Sequence, residues 1–415
     1  MVFVAGNTCV FLALWEKIVF SKLSAYAGDP ILSLQFAYRD DPRADKINLS
    51  IGLYYDEAGR IPRLASVQQA QQIVSASTEP STYLPMSGSP AYCKAVQELV
   101  FGADASAVRE GRVATIQTVG GSGALKVGSD VVRRFFPESN AYISNPTWDN
   151  HRAIFEGSGF AVDTYPYFDQ ASQQLDFQAM AAFLRTLREQ SVVLLHPCCH
   201  NPTGADLTRE QWDEVVEIIV TRRLLPFLDM AYQGLGEGFE QDAYLPRALA
   251  KANQAFLIAT SFSKNFSLYG ERCGSLSMLC ASADEAQRAI GQMQQAVRRN
   301  YSSPPAYGAR LIETVLLDAE LRQQWESEVN GMRQRMQAMR HALHNRLLEQ
   351  NPQYDWSFLT SQTGMFSYAP ALGKHLQQLR EQFGVYIIES GRICIAGLND
   401  RNIEPAARAF ASVLK

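Results

Sequence analysis

Lys264 is the residue whose type and setting most favour covalent chemistry. It lies in the segment FLIATSFSKNFSLYGERCG (256–274), shortly after an apolar run and with no carboxylate beside it in the sequence. A lysine amine in a crevice can have its pKa lowered and can then act as a nucleophile. Ser261 and Lys264 also form the S-x-x-K pattern of serine acyl enzymes. The S-D-N and K-T-G patterns that accompany it there do not occur in this sequence, so a serine hydrolase using Ser261 is the weaker alternative.

Asp229 ends the apolar run of PFLDMAYQG (226–234). A carboxylate in an apolar strand is costly unless a cationic group meets it. The sequence therefore predicts either a partner for a positive charge or a capping aspartate with a structural role.

The segment GGSGALK (120–126) follows the apolar run ATIQTV and opens a helical pattern. Small residues allow close approach of a ligand to the backbone, and the free N–H groups of a helix start favour a phosphate. The segment matches neither the dinucleotide fingerprint nor the nucleotide P-loop. A phosphate site and a tight structural turn are both compatible with it.

The segment HPCCHNPTG (196–204) holds two histidines and two cysteines. Pro197 prevents a helix that would place both histidines on one face, and no distant C-x-x-C pair exists, so we predict no metal here. Asn201 and Pro202 instead predict a shaped turn that presents an amide side chain at the edge of a sheet.

Arg298 and Arg392 stand far apart in the sequence, in VRRNYSSPP and ESGRICIAG. A guanidinium group binds a carboxylate through two parallel hydrogen bonds. A lone arginine is usually a solvated surface charge. A carboxylate-binding role for these two arginines is therefore indicated only by the presence of the other candidate site residues.

Strands and helices alternate through most of the chain and must position these groups. The apolar runs at 114–119, 140–145, 192–196, 226–230 and 256–261 predict buried strands, and helical patterns at 124–135, 178–189 and 209–222 lie between them. This alternation predicts a mostly parallel α/β sheet, which binds ligands beyond the carboxyl ends of its strands. After Asp318 a methionine-rich stripe predicts a long core helix, and 364–368, 383–389 and 392–397 predict strands of a smaller α+β unit.

Composition excludes several classes of protein. The chain has 415 residues, with 38 Lys and Arg against 42 Asp and Glu, so no overall basic field favours nucleic acid. Seven cysteines, two of them adjacent, argue against a disulfide framework and for a reducing, cytoplasmic location. The apolar residues 1–20 lack the basic start and cleavage site of a secretory signal and are too polar to span a membrane. We expect an extension or arm there, with an interfacial anchor as the alternative.

A reactive lysine, a lone carboxylate, a phosphate cradle and carboxylate-binding arginines are together what a pyridoxal-phosphate enzyme of amino-acid metabolism requires. From residue 24 to its end the chain resembles the class I aminotransferases of fold type I. It does so through motifs in the same order and spacing: NLSIGLYYDEAG, YLPMSG, SNPTWDNH, HPCCHNPTG, DMAYQG, SFSKNFSLYGER and SGR. It looks closest to the bacterial aromatic-amino-acid (tyrosine) branch, which is related to aspartate aminotransferase.

The resemblance implies the fold and the domain limits. It implies a large pyridoxal-phosphate domain at 62–321, with a mostly parallel seven-stranded sheet covered by helices. The smaller α+β domain would take its parts from 24–61 and 322–415, after an extension at 1–23. It also implies a homodimer with shared active sites, and it implies neither nucleic acid nor membrane as a partner.

The resemblance also assigns roles to residues. Lys264 would hold pyridoxal 5'-phosphate covalently and carry a proton, and Asp229, supported by His151, would pair with the pyridine N–H. Tyr232 and Asn201 would hydrogen-bond the phenolic oxygen, and Trp148 would stack on the ring. The phosphate would be bound by Gly121, Ser122, Ser261, Ser263, Arg272 and, from the neighbouring subunit, Tyr83, which would also reach the lysine. The substrate would be held by Gly52, Trp148, Asn201, Phe366, Arg392 and the neighbouring subunit's Arg298.

The implied reaction is amino-group transfer from tyrosine or phenylalanine, and from aspartate, to 2-oxoglutarate through two half-reactions. Ser303 and Pro197 stand where aspartate-preferring members typically carry Asn and Gly, which favours the aromatic branch. Three alternatives remain: an aspartate-preferring aminotransferase, another pyridoxal-phosphate activity such as a β-lyase or decarboxylase, and a pyridoxal-phosphate-sensing regulator. The regulator would need a basic DNA-binding module, and about 23 residues are too few for one.

Overall fold

A computed structural model of the chain describes residues 20–25, 28, 30–78, 80 and 82–414. Two compact units divide the chain between Pro42 and Arg43. The first contains the helix Pro30–Asp40, which continues into a last turn where the Asp41 N–H donates to the Ala37 carbonyl at 3.2 Å. Residues 1–19 lie outside the described residues, so the expected arm or anchor stays a prediction.

Most strands of the second unit are short and buried. In chain order they are β1 (Ile47–Asn48), β2 (Val113–Val119), β3 (Ala141–Asn145), β4 (Val162–Pro166), β5 (Phe168–Asp169), β6 (Gln174–Leu175), β7 (Val192–Leu195), β8 (Leu225–Met230), β9 (Phe256–Ser261), β10 (Cys273–Leu279), β11 (Phe366–Tyr368), β12 (Val385–Tyr386) and β13 (Arg392–Cys394).

Helices lie between most of these strands and after the last one. They are Ala65–Ala76, Pro90–Phe101, Ser106–Arg109, Gly120–Phe135, Asn150–Gly157, Phe177–Thr186, Arg209–Arg222, Phe239–Asp242, Tyr244–Lys251, Ala283–Asn300, Tyr307–Leu317, Ala319–Gln350, Phe358–Ser361, Pro370–Gly373, Leu376–Phe383 and Ile403–Val413. Two short 3₁₀ turns, Tyr269–Glu271 and Ile395–Gly397, precede β10 and follow β13. In the described part of the chain, no helix is both long enough and apolar enough to cross a membrane.

Seven strands form the central sheet in the order β2-β10-β9-β8-β7-β3-β4. All neighbours are parallel except β10, which runs antiparallel to β2 and to β9. The carboxyl ends of β2, β3, β7, β8 and β9 therefore lie at one edge of the sheet, together with the amino end of β10. Fold and sheet match the predicted α/β class.

Helices cover both faces of this sheet because its strands are apolar on both sides. In β9, Phe256 and Ile258 pack into one hydrophobic cluster, while Leu257 and Ala259 pack into the other. The helices Gly120–Phe135 and Ala283–Asn300 cover the second face. Burial on both faces explains why these strands appear in the sequence as continuous apolar runs.

The five predicted strands of the sheet are confirmed within one residue at either end. The patterns did not predict β4 and β10: β4 carries exposed Asp163, and β10 alternates serines with apolar residues. The helix predicted at 124–135 begins earlier, at Gly120, and the one predicted at 178–189 spans Phe177–Thr186. The helix predicted at 209–222 is confirmed as Arg209–Arg222, and Thr208 and Gln211 form a reciprocal capping box at its start.

A third hydrophobic cluster lies in the C-terminal part of the chain. The predicted stripe of the long helix Ala319–Gln350 is buried, but Met332 and Met336 belong to a sheet cluster, whereas Met339, Leu343 and Leu347 belong to the third one. This helix therefore passes from one core to the other between Met336 and Met339. The domain limits at 62–321 and 322–415 stay a prediction.

The predicted strands of the C-terminal part are shorter than the sequence indicated. β11 pairs antiparallel with β13, so that Tyr368 lies opposite Arg392, and β12 pairs parallel with β1. Residues 395–397, predicted as the end of a strand, form a 3₁₀ turn instead. The short pairing of β11 with β13 still fixes the position of the Arg392 backbone.

Candidate active site

Side chains that follow the carboxyl ends of five parallel strands form the candidate site. The segments after β2, β3, β7, β8 and β9 carry respectively Gly121, Trp148, Asn201, Tyr232 and Lys264. Because these ends share one edge of the sheet, groups up to 143 positions apart in the sequence meet there. Open parallel sheets bind ligands at this edge.

Asp229 is buried and paired. His151 Nε2 lies 2.9 Å from Asp229 Oδ2, and His151 Nδ1 lies 2.8 Å from the Thr147 hydroxyl. Burial raises the pKa of the Asp229 carboxyl, but the hydrogen bond and charge of His151, with smaller contributions from His196 and Lys264, leave the pKa below its usual value. Asp229 is therefore an anion at neutral pH. The alternative of a capping aspartate does not fit, because the hydrogen-bond partner of the Asp229 carboxylate is the side chain of His151 and not a backbone N–H group.

His196 extends this group into the sheet. Its ring lies 5.0 Å from the His151 ring, and neither ring nitrogen has a hydrogen-bond partner among the described residues. Burial and the neighbouring His151 lower the pKa of His196 to about 3, so the ring is neutral. His151, His196 and Asp229 offer ligand atoms within 4.8 Å of one another. The bond of His151 Nε2 to Asp229 already uses two of the three.

His200, the second histidine of the segment HPCCHNPTG, has a hydrogen-bond partner on each ring nitrogen. Both nitrogens of His200 are used, at 2.9 Å from the Ser144 hydroxyl and 2.7 Å from the Thr203 hydroxyl. Its ring stacks on Tyr167 with centroids 3.8 Å apart. His200 therefore supports the turn that presents Asn201.

Lys264 is an amine with a lowered pKa. Its Nζ lies 5.3 Å from the centre of the Tyr232 ring. Burial lowers the pKa of Lys264 to about 8; the charge of Asp229 opposes this, and the charges of Arg272 and Arg392 add to it. About a tenth of an amine with this pKa is uncharged at pH 7 and about half at pH 8, and the uncharged form is what a nucleophile or a proton acceptor needs.

An anion cradle lies beside Lys264. The helix Gly120–Phe135 opens there with its free N–H groups, and the buried hydroxyls of Ser261 and Ser263 lie 3.2 Å apart. Arg272 Nη1 donates to the Ser263 hydroxyl at 3.4 Å. A Cβ at Gly120 would lie 2.8 Å from Arg272 Nη2, so glycine is needed where φ is +64°. Gly121 and Ser122 occupy the first turn of this helix.

Arg392 is a buried cation that lacks a carboxylate partner among the described residues. It is only 4% exposed, and it donates to the Asn201 side-chain oxygen at 3.1 Å and to the Ser50 carbonyl at 2.9 Å. Its Nε has no partner within the described part of the chain. Burial lowers its pKa, yet a guanidinium stays charged at neutral pH. A buried charge of this kind favours an anionic ligand.

Aromatic and amide groups surround Arg392. Its guanidinium lies over the Phe366 ring, 4.2 Å from the centre, and a Cβ at Gly52 would lie 2.8 Å from the same ring. Asn201 Nδ2 donates to the Tyr232 hydroxyl at 3.3 Å, and burial raises the Tyr232 pKa. One hydrogen-bonded path thus joins Arg392, Asn201 and Tyr232.

Of the three remaining predicted residues, Trp148 lies at the side of this group and two lie away from it. Trp148 is half-buried, edge-on to His151 with centroids 5.2 Å apart. Tyr83 is 95% exposed, and Arg298 is exposed, with Nη1 donating to the Ser302 hydroxyl at 2.5 Å. Neither Tyr83 nor Arg298 contacts the cluster within this chain, and their assignment to a neighbouring subunit stays a prediction.

Two groups of the site were missed by the sequence prediction. Thr147 orients His151, and the Ser50 carbonyl accepts a hydrogen bond from Arg392. Thr147 sits four positions before His151 in the sequence, and this spacing could have indicated the contact. The role of Ser50 depends on a contact between positions 342 apart, for which the sequence holds no signal.

The cluster fits pyridoxal phosphate. Asp229 Oδ1 accepts no hydrogen bond from the described residues and can pair with a pyridinium, while the cradle offers a helix start, two hydroxyls and Arg272 to a phosphate. Lys264 would supply the amine, and Arg392 Nε has no hydrogen-bond partner among the described residues.

Comparison with known proteins identifies the family. The family model described as "Aminotransferase class I and II" matches residues 44–410 of this chain. The tyrosine aminotransferase of Klebsiella pneumoniae is 52% identical over 95% of this chain and 100% of its own length, and the aromatic-amino-acid aminotransferase of Escherichia coli is 53% identical with the same coverage. An aspartate aminotransferase of Pseudomonas aeruginosa is 43% identical, again over 95% and 100%.

A solved structure has the same fold. The aromatic-amino-acid aminotransferase from Burkholderia pseudomallei, described as covalently bound to pyridoxal phosphate, superimposes with a TM-score of 0.93. It is 45% identical and covers 96% of this chain and 100% of its own. The chain is thus a fold type I α/β enzyme of the pyridoxal-phosphate-dependent kind. It belongs to the class I and II aminotransferase family, which confirms the resemblance predicted from its motifs.

Proposed function

We propose that this enzyme moves the amino group of tyrosine, phenylalanine and aspartate to 2-oxoglutarate in two half-reactions at one site. The observation that carries the proposal is the joint presence of a low-pKa Lys264, an anionic Asp229 and an unpaired, buried Arg392 at one sheet edge. The names of the relatives described above support aromatic substrates first and aspartate second.

Lys264 is the proposed attachment point of pyridoxal 5'-phosphate and the group that moves the proton at the substrate α-carbon. When bound, the cofactor supplies an electron sink for the carbon that loses this proton. The Asp229 carboxylate holds a proton at the pyridine nitrogen, and His151 fixes the orientation of that carboxylate. Because the pKa of Lys264 lies near neutrality, its amine can both accept and return the proton.

The remaining site residues hold and orient the two ligands. Gly121, Ser122, Ser261, Ser263 and Arg272 are proposed to bind the phosphate, and Trp148 to cover the ring. Tyr232 and Asn201 are proposed to donate hydrogen bonds to the phenolic oxygen. Arg392, with Asn201, Trp148, Phe366 and the Gly52 backbone, is proposed to bind the substrate α-carboxylate.

The enzyme is proposed to be a homodimer in which Tyr83 and Arg298 complete the neighbouring subunit's site. Their exposure in the single chain supports this, since a tyrosine that is 95% exposed gains from burial against a second copy. Sedimentation equilibrium should give twice the chain mass for the active enzyme. A fully active monomer would contradict the shared site.

Arg298 is proposed to bind the side-chain carboxylate of dicarboxylic substrates. Replacing it by leucine should lower kcat/KM for aspartate by roughly 100-fold or more, since a charged hydrogen-bonded pair is lost, and lower kcat/KM for phenylalanine by less than about 5-fold. Steady-state kinetics with 2-oxoglutarate at fixed saturation measures both. Arg299→Leu, at the adjacent exposed position, is the matched control. Equal losses for the two amino acids would show that Arg298 acts on the fold alone.

A panel of kcat/KM values for tyrosine, phenylalanine and aspartate tests the proposed function. Aromatic preference predicts higher values for tyrosine and phenylalanine, whereas a large excess for aspartate would support the aspartate-preferring alternative. The first half-reaction should be reversed by adding a 2-oxo acid. Release of pyruvate and ammonia without that reversal would identify a β-lyase and refute amino transfer.

Two further points complete the proposal. The proposed domains are a large one at 62–321 and a smaller one from 24–61 and 322–415. The hydrophobic cluster that joins Ile47 and Leu49 to the C-terminal part supports the smaller domain from residue 47 on. A cytoplasmic location is supported by the six cysteines of the described residues, all buried and free. Limited proteolysis near residue 321, and fractionation of cells, test these points.

A further inference from the structure

Residues 359–367 lie between the two hydrophobic clusters that the long helix joins. This segment, which we call the bridging segment, leads into β11, and β11 pairs with the strand that carries Arg392. On its other side it contacts the loop 199–206, which carries Asn201. The bridging segment therefore touches both elements that meet at the proposed carboxylate site.

Arg340 binds the bridging segment from the long helix. It is 3% exposed and stands one position after Met339, where the helix passes from one core to the other. Its guanidinium donates to the carbonyls of Leu359 at 3.2 Å, Thr363 at 3.0 Å, Gly364 at 2.9 Å and Phe366, and to the Ser367 hydroxyl at 2.5 Å. None of these partners is a carboxylate. Arg340 thus fixes the backbone path of the segment.

Thr363 and Asp206 join the bridging segment to the loop of Asn201. The Thr363 hydroxyl donates to Asp206 Oδ2 at 2.7 Å, and the Thr363 N–H donates to the Gly204 carbonyl at 2.6 Å. Asp206 also accepts from the backbone N–H groups of Cys199 at 2.7 Å and His200 at 2.8 Å. A Cβ at Gly204 would lie 2.6 Å from the Phe366 carbonyl, so the two segments are in close contact.

These contacts form a closed circuit. It runs from Asn201 along its loop to Asp206, across to Thr363, through β11 to β13, and from Arg392 back to the Asn201 side chain at 3.1 Å. The link through Thr363 consists of its hydroxyl, which donates to Asp206 at 2.7 Å and lies 3.4 Å from the Gly204 carbonyl, and of one backbone hydrogen bond. The distance between Arg392 and Asn201 should therefore depend on this hydroxyl.

We propose that Arg340, Thr363 and Asp206 are positioning residues that hold Asn201 against Arg392 and thereby set the affinity of the site for a carboxylate ligand. This inference rests on the proposed function, because it takes Arg392 as the carboxylate-binding group. The three residues lie outside the pocket and act through the backbone. They contact neither Lys264 nor Asp229 in the described structure, so the chemical step should be affected less than binding.

Thr363→Val tests the link most cleanly, because valine keeps the shape and the backbone hydrogen bond and removes only the hydroxyl. The probe is 3-phenylpropionate, an aromatic carboxylate with neither an amino nor an oxo group to react, titrated calorimetrically into the holoenzyme. We expect its Kd to rise roughly 10-fold, as for the loss of one hydrogen bond to a charged group. With phenylalanine as substrate, KM should rise similarly and kcat should change less than about 2-fold.

Two matched variants control for the chemistry of the change. Thr363→Ser retains the hydroxyl and should keep the Kd within about 2-fold. Thr314→Val removes a threonine hydroxyl that bonds only the Arg310 carbonyl, at 2.8 Å on another helix, and should leave the Kd unchanged. If Thr363→Val lowers the Tm but leaves the Kd unchanged, the link is structural and the inference is wrong.

Asp206→Asn provides a second, independent variant. It should weaken 3-phenylpropionate in the same direction and at least as far, because Asp206 also accepts from the Cys199 and His200 N–H groups. Adding Thr363→Val to Asp206→Asn should weaken binding little further, because the bond between these two side chains is then already lost. Additive losses would overturn the link.

Arg392→Leu distinguishes a failure of the proposed function from a failure of the positioning role. If Arg392→Leu leaves the Kd unchanged, the proposed function fails; if it weakens binding and Thr363→Val does not, only the positioning role fails.

Discussion

Replacing Lys264 by alanine should abolish amino transfer, with kcat lowered by at least about 10⁴-fold, while the protein still folds and binds pyridoxal phosphate non-covalently. The loss is large because one amine serves as attachment point and as proton carrier, and acid–base catalysis alone contributes about 10² to 10⁴-fold. Borohydride reduction followed by peptide mass analysis should find the cofactor on the peptide with Lys264 in the wild type, and on no peptide of the variant.

The lowered pKa of Lys264 gives this prediction a second readout. Only the uncharged amine reacts with an aldehyde, so in the apoenzyme the rate of covalent capture of pyridoxal should be half-maximal near pH 8, where the Lys264 amine titrates. Below that pH the rate should fall about tenfold per unit. An exposed lysine, with a pKa of about 10.4, would still be gaining rate at pH 9. Stopped-flow absorbance over pH 6 to 10 measures this.

Lys94 is the matched control. It is exposed, on the helix Pro90–Phe101, and forms an ion pair with Glu98 at 4.0 Å. Lys94→Ala should retain turnover within about 2-fold and keep the capture profile unchanged, as expected for a surface ion pair. Near-native turnover of Lys264→Ala would refute the assignment of the catalytic amine.

The chemistry of the site could be predicted because a few residue types have few alternative uses. A lysine behind a buried strand, an aspartate inside one and a glycine-rich helix start each indicated a role, and the structure places Lys264, Asp229 and Gly121 at one sheet edge. Their order along the chain did not contain this proximity. It follows from the sheet order, which the alternation of strands and helices leaves open.

The parts that could not be predicted depend on tertiary contacts. The helix at Gly120 begins four residues before its apolar pattern. The pattern did not predict this start, because three of the four residues are glycines, which have a low helix propensity. Tertiary contacts favour glycine there, since a Cβ at Gly120 or Gly121 would lie close to Arg272 or Ser261. β10 was missed because its serines face hydroxyl partners, such as Ser275 with Thr260 at 2.5 Å. Arg340 appears in the sequence as one of many charges on a long helix, and only its burial reveals its contacts.

Arg392→Leu should lower kcat/KM for every amino acid and 2-oxo acid by roughly 30- to 4,000-fold, since removing one partner of a buried charged pair costs about 2–5 kcal/mol. The loss should be similar for aspartate and phenylalanine because the α-carboxylate is common to both, in contrast to Arg298→Leu. Arg392→Lys should recover only part, because an ammonium lacks the two-pronged geometry. Arg401→Leu, at an exposed position nine residues on, should behave like the wild type.

Stability should respond in the opposite direction to activity, which separates a binding role from a structural one. In the free enzyme the Arg392 guanidinium is buried with an unpaired Nε and no carboxylate partner among the described residues, so the folded state carries a desolvation cost that leucine removes. The free energy of unfolding of Arg392→Leu, from urea titration of the apoenzyme, should therefore equal or exceed that of the wild type. A marked fall would mean that Arg392 mainly holds Asn201 and Ser50 together. A group retained at a cost to stability, and needed for every substrate, is what a carboxylate-binding residue requires.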